Sequence, residues 1–137
     1  MKTQTNWQNL RKSGVAMTPQ NYHVVPDHIP IWRRFLKRQL LQERGRVCEE
    51  CGKENPDAIH LHEGIVKRNE VPRNAPLGWQ IYSEINSFLL CGNCHLNKPL
   101  TRGRYYWKAC QRYSKAEVDE WLASLPFRSP ALLGRTG

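Results

Sequence analysis

Three stretches of the chain place apolar residues at a fixed period, and each predicts an element. Trp32, Phe35, Leu36 and Leu40 recur at helical spacing, so a helix is expected over residues 30–44, opened by Pro30 and stopped by Gly45. Arg33, Arg34, Lys37 and Arg38 fall off that stripe and form a basic face. Residues 59–63 alternate apolar with polar as a half-buried strand does, which sets His60 and His62 on one side. Residues 86–90 read as a second strand that carries Phe88, Leu89 and Leu90. Near the C-terminus Val118, Trp121, Leu122 and Leu125 again keep helical spacing. Ser114-Lys115-Ala116-Glu117 ahead of them has the form of a capping box, and Pro126 limits the helix.

The remaining segments lack such periods. Residues 66–80 hold two prolines and Gly78, so a long loop is expected there, of the kind that often carries function. Residues 1–21 are polar with few apolar anchors and read as a mobile arm, in which Arg11 and Lys12 can touch phosphate. Tyr105, Tyr106 and Trp107 sit among Arg102, Arg104 and Lys108, an arrangement able to stack on bases, although packing in the core is the expected role of at least one ring.

Charge is spread unevenly. The net +9 of the 137-residue chain resolves into +7 over residues 1–46, −3 over 47–95 and +5 over 96–137. Basic flanks around a mildly acidic centre suit a polyanion draped across the molecule, because each neutralised phosphate releases counterions. Solvated charge kept for solubility gives the same pattern. The apolar share of 39% is low for a core that stands without help. No run of about 18 apolar residues exists to span a membrane, and the N-terminal residues lack the apolar stretch of an export signal. A soluble, intracellular protein is expected.

Cysteine supplies the missing support. Cys48/Cys51 and Cys91/Cys94 are two Cys-x-x-Cys pairs, the spacing at which one tight turn presents two thiolates to one ion. Gly52 and Gly92 lie where a backbone wrapped around sulfur often needs positive φ. A structural Zn²⁺ on four thiolates is therefore expected. Two disulfides, or cysteines buried as small hydrophobes, are the alternatives, the disulfides disfavoured by the absence of an export signal and by the fifth cysteine, Cys110, read as a buried thiol.

The order of these motifs carries a resemblance. Cys48-Glu49-Glu50-Cys51-Gly52, then Leu61-His62-Glu63, then Asn86 five residues ahead of Cys91-Gly92-Asn93-Cys94-His95 resembles the zinc-stapled, phage-associated His-Asn-His (HNH) endonucleases over residues 47–98. That likeness implies an α+β chain with a ββα-metal core over 47–98, preceded by a basic arm and helix over 1–46 and followed by a basic helical segment over 99–137. It implies a metal-dependent DNA endonuclease or nickase, with phage homing or DNA processing as its setting. Its products would carry 5′ phosphate and 3′ hydroxyl ends.

By the same resemblance His95 ligates a catalytic Mg²⁺, Mn²⁺ or similar cation, and Asn86 orients the general base by hydrogen bonds within the loop. His62 and Glu63 share the remaining roles of base and cation ligand. Register makes His62 the ligand, whereas chemistry favours His62 as the base, because imidazole titrates near neutrality and carboxylate suits a hard cation. His60 is a candidate supporting group or an ordinary strand histidine. Pro99, four residues after His95, departs from the pattern and predicts a short or kinked helix.

Lys67 and Arg68 are candidates for clamping the scissile phosphate, and Arg33, Arg34, Arg102 and Arg104 for wider DNA contact. DNA is the expected partner, no membrane is, and no pattern marks a dimer surface. Two other enzymes fit poorly: a zinc protease needs a histidine four after His62, where Val66 stands, and a deaminase needs a His-x-Glu that neither His60 nor His62 begins. A non-catalytic zinc module that binds nucleic acid is the alternative reading, and a zinc-stapled protein-interaction domain is a third.

Overall fold

The computed structural model describes residues 25–72, 78–97, 101–125 and 127. Arg11, Lys12 and Pro99 lie outside them. Among the described residues the chain is α+β, with four α-helices and one two-stranded antiparallel sheet. Helix α1 (Val25–Arg44) leads to strand β1 (Ile59–Glu63). Two short 3-10 turns, Arg68–Glu70 and Gly78–Ile81, precede strand β2 (Ser87–Cys91), and helices α2 (Gly92–Asn97), α3 (Arg102–Arg112) and α4 (Lys115–Ser124) follow.

Helix α1 begins five residues before the expected start, so Pro30 lies within it rather than at its head. Pro26 is better placed for that job, since a proline in the first turn gives up an amide that has no helical acceptor. At the other end Gly45, at φ +87°, returns its N–H to the Leu41 carbonyl and stops the helix as its sequence position suggests.

Strand β1 has the expected bounds, and β2 starts one residue later than expected because Asn86 faces the loop. The register pairs Ile59 with Cys91, Leu61 with Leu89 and Glu63 with Ser87. Both faces of this small sheet are covered. Leu36 and Leu40 of α1 meet Ile59, Leu61 and Leu89 on one face. Phe88 and Leu90 point the other way, into a cluster with Tyr105, Ala109, Val118, Trp121 and Leu122 of α3 and α4. All five residues of β2 are buried in consequence. Leu36, Leu40, Leu89 and Leu90 are fully enclosed, each contributing about 1.5–3 kcal/mol by leaving water.

Helix α3 was not legible in the sequence, since it buries only Tyr105 and Ala109 and exposes charge elsewhere. Helix α4 matches its signature: Ser114 is the N-cap and its Oγ accepts from the Glu117 N–H at 3.1 Å. Helix α2 is short, as expected from the proline beyond it. No described helix is long and apolar enough to cross a membrane.

Candidate functional site

The thiol cluster is built by two unlike turns. The first is a tight hairpin closed by the Val47–Glu54 bridge, in which the Cys48 N–H donates to the Lys53 carbonyl and the Gly52 N–H to the Cys48 carbonyl, both at 2.9 Å. Gly52 takes φ +81°, the left-handed conformation expected of it. The second joins the end of β2 to the first turn of α2. Gly92 does not share the positive φ, contrary to expectation, because a strand running directly into a right-handed helix has no left-handed corner to turn.

The four sulfur ligand atoms of Cys48, Cys51, Cys91 and Cys94 all lie within 4.8 Å of one another, with Cys51 Sγ and Cys91 Sγ 3.9 Å apart. A tetrahedral ion with metal–sulfur bonds of about 2.3 Å has sulfur–sulfur edges of about 3.8 Å, so the cluster has the size of a zinc-thiolate centre. A disulfide would bring a pair to about 2.05 Å, and all four are free thiols. Burial pushes Cys48 up, but hydrogen bonds from the backbone at Cys51, Cys91 and Glu50 and from the Cys51 thiol outweigh it and leave Cys48 at about 6. Cys94 is driven well above the ordinary thiol range by burial, then by hydrogen bonds to its three neighbours and by the Cys48 charge. One thiolate thus obstructs the next, a conflict that a dication removes. The donor set fits Zn²⁺.

Beside this centre three imidazoles gather. His60 and His62 project from β1, and His95 directly follows Cys94 in α2. The His60 and His95 rings are nearly parallel with centroids 4.9 Å apart, while His62 meets His95 edge-on at 5.4 Å. Tyr105 stands 5.3 Å from His62 on its other side. All three histidines line a cavity of about 370 Å³ with Glu63 and with Arg33, Arg34 and Lys37 of α1.

Glu63 does not join the imidazoles. Its carboxylate accepts from Arg33 Nη2 at 3.1 Å, and the same nitrogen donates to the Leu61 carbonyl at 3.1 Å. Burial raises the Glu63 carboxyl, against the charge and hydrogen bond of Arg33. His62 is lowered to about 4 by burial first and by Lys67 and His95 next, and His95 is lowered by burial and then by His60 and Arg33. Two atoms of this group are buried without a hydrogen-bond partner among the described residues, His62 Nε2 and Arg33 Nε. Among the described residues the four cysteines are the only set of three or more His, Cys, Asp or Glu whose ligand atoms converge, so His62, Glu63 and His95 are neighbours without forming a preassembled cage.

Comparison with family models, with curated proteins and with solved structures finds no match to this chain.

Asn86 is fully buried and closes the connection between the strands. Its Oδ1 accepts from the Ile65 and Val66 N–H groups at 2.8 and 2.9 Å, and its Nδ2 donates to the Val66 and Ile81 carbonyls at 2.8 and 3.0 Å. One side chain therefore fixes how the chain leaves β1, starting two residues beyond the His62-Glu63 pair. Gly64 belongs to the same device, because a Cβ there would meet Tyr105 Cγ at 2.5 Å and Phe88 Cδ1 at 2.9 Å. Nothing in the sequence singled out Gly64, whose requirement comes from a ring forty-one positions away.

The basic candidates divide. Arg34, Arg68 and Arg104 are exposed, and Lys67 is half-buried. Arg33 is turned to Glu63, and Arg102 is paired with Glu70, so neither is a bare surface cation. Of the three aromatic candidates Tyr105 is core, Tyr106 donates to Asp119 at 2.7 Å, and Trp107 is 58% exposed.

Proposed function

We propose that the protein is a metal-dependent DNA endonuclease or nickase of the His-Asn-His kind, with zinc on the four thiolates as its structural support. The observation that carries this reading is the cavity in which His60, His62 and His95 face Arg33, Arg34 and Lys37 beside the thiol cluster. Imidazoles beside clustered positive charge suit a phosphodiester, whose anionic oxygens the basic side chains attract while an imidazole handles the proton of the attacking water. The β1–β2–α2 order beside the thiol cluster, with the Asn86 clasp between the strands, agrees with the family resemblance.

In this reading His62 is the base. Burial keeps its imidazole neutral, which leaves a lone pair available. A phosphate drawn in by Arg33, Arg34 and Lys37 would favour the protonated ring and lift its basicity toward neutral pH. His62 then takes a proton from water as the water oxygen bonds to phosphorus. The bond from phosphorus to the 3′ oxygen breaks, leaving 5′ phosphate and, after protonation by solvent, 3′ hydroxyl. A divalent cation held at His95 would supply positive charge against the crowded phosphate oxygens. Asn86 acts as a positioning residue, since it touches backbone and not substrate.

Incubation of the zinc-loaded chain with supercoiled plasmid and Mg²⁺, Mn²⁺ or Ni²⁺ tests the reading. Nicked or linear product that disappears in His62→Ala supports it. A retarded but intact plasmid with all three cations would show a binding module instead.

A further inference from the structure

Helix α3 divides its basic residues into two pairs. Arg102 is bound to Glu70 and Arg112 to Glu49, so these two fasten the helix to the rest of the fold. Arg104 and Lys108 have no acidic partner among the described residues. Trp107 stands between them and is 58% exposed. Arg104, Trp107, Lys108 and Gln111 keep the spacing of one helix face, and no Asp or Glu occurs anywhere in α3.

This face is separate from the histidine cleft. Tyr105, whose ring stands 5.3 Å from His62, is buried against the sheet. At about 100° per residue, Trp107 falls roughly 200° round the helix from Tyr105 and so points the other way. Gly103 lies one turn ahead of the indole on the same side. It does not take positive φ, and a Cβ there would meet nothing within 4 Å. Neither backbone nor packing asks for glycine at 103, and the missing side chain leaves the approach to the ring open.

We propose that this face binds single-stranded DNA, with an unpaired base stacked on Trp107 and the neighbouring phosphates on Arg104 and Lys108. An indole offers a flat π surface to any base, but bases inside a duplex already stack on one another, so the partner must be out of the helix. A protein partner is a poorer fit, because Trp107 is the one exposed large apolar residue of α3 and a single ring makes no apolar interface core. A second copy fits no better, since a two-fold contact here would set Arg104 and Lys108 against like charges. The choice of DNA over RNA rests on the nuclease reading, and the surface itself does not. In that reading the face would hold a displaced strand on the side of α3 away from His62.

Fluorescence anisotropy of a labelled oligothymidylate, titrated with the full zinc-loaded chain and no other divalent cation, tests the proposal without cleavage. Affinity is expected to fall about tenfold or more in Trp107→Ala, with duplex affinity unchanged. The salt slope should stay the same in Trp107→Ala and shrink by about 1.4 when Arg104→Gln and Lys108→Gln are combined, as two lost phosphate contacts require. Because the indole is exposed, Trp107→Ala keeps its fold, which retained zinc and unchanged urea unfolding verify. Equal oligothymidylate affinity in Trp107→Ala and the parent overturns the proposal. So does an equal loss for duplex, which would mark a groove contact, and so does tighter binding of oligouridylate, which would assign the face to RNA. Self-association that vanishes in Trp107→Ala while oligothymidylate affinity holds would give the face to a second copy. The expected binding pattern with intact plasmid in the cleavage assay would uphold this surface and remove the nuclease reading.

Discussion

Arg44 Nη1 donates to Glu49 Oε2 at 3.0 Å, with both side chains less than a tenth exposed. The pair ties the end of α1 to the first cysteine hairpin. Arg44 also donates to the Ser87 and Glu84 carbonyls and to the Tyr113 hydroxyl, while Glu49 accepts from Arg112 and from the Leu89 N–H. Two helices, the cysteine hairpin and strand β2 thus meet at two charges. Removing one partner of such a pair leaves the other buried and uncompensated. Glu49→Ala is expected to lower stability by about 3 kcal/mol, read from urea unfolding of the zinc-loaded protein. A loss below about 1 kcal/mol would mean that water replaces the carboxylate freely.

Asn86→Ala should cost about 2–4 kcal/mol, because it strands two buried N–H groups and two carbonyls at once. Asn86→Asp separates the halves of the interaction: it keeps the acceptor for Ile65 and Val66 and sets a charge against the carbonyls of Val66 and Ile81. Amide exchange at Ile65 and Val66 is the measurement. It should accelerate strongly in Ala and less in Asp.

Gly64→Ala forces a Cβ into Tyr105 and Phe88, and about 1–3 kcal/mol of destabilisation is expected. The same substitution in a Tyr105→Ala background should cost less, since the closer of the two rings is gone. Unfolding of the four proteins in this cycle gives the coupling directly. Strict additivity would place the strain somewhere other than the Tyr105 contact.

Removal of the structural metal should unfold the described core. Zinc contributes about 10–16 kcal/mol to small thiolate modules, against a net stability of about 5–15 kcal/mol for a domain. A tight chelator should abolish the near-ultraviolet dichroism of the core aromatics, and Cys48→Ser should lose zinc and the same signal together. Retention of that signal in metal-free protein would show a core that stands unaided.

What the sequence revealed and what it hid follow from the range of the forces involved. The strand at 59–63 was legible because alternation is local, and the thiol cluster because two fixed spacings leave few other uses. The capped helix before Pro126 was legible for the same reason. Helix α3 was hidden by its charge, and the early start of α1 by a proline that sequence logic places at a helix head. The Arg44–Glu49 pair, the need for glycine at 64 and the capture of Glu63 by Arg33 are contacts between distant segments, and no local pattern encodes them. Among the candidate site residues, His62, His95 and Asn86 were singled out by motif, and the fold sets them around the strand pair. The company His60 keeps with His95 needed the strand pairing and α2 together.

The four thiols join segments forty positions apart, Cys51 to Cys91, and so span the whole connection between the strands. Without an ion, the short β1–β2 ladder and the side chains packed on it must hold that long loop closed, against the entropy of the intervening chain. Capture of a metal by these thiols would then be a checkpoint in the protein's biogenesis. A newly made copy that misses its metal presents an open, protease-sensitive strand pair, so the cell's supply of zinc would set how many copies ever mature.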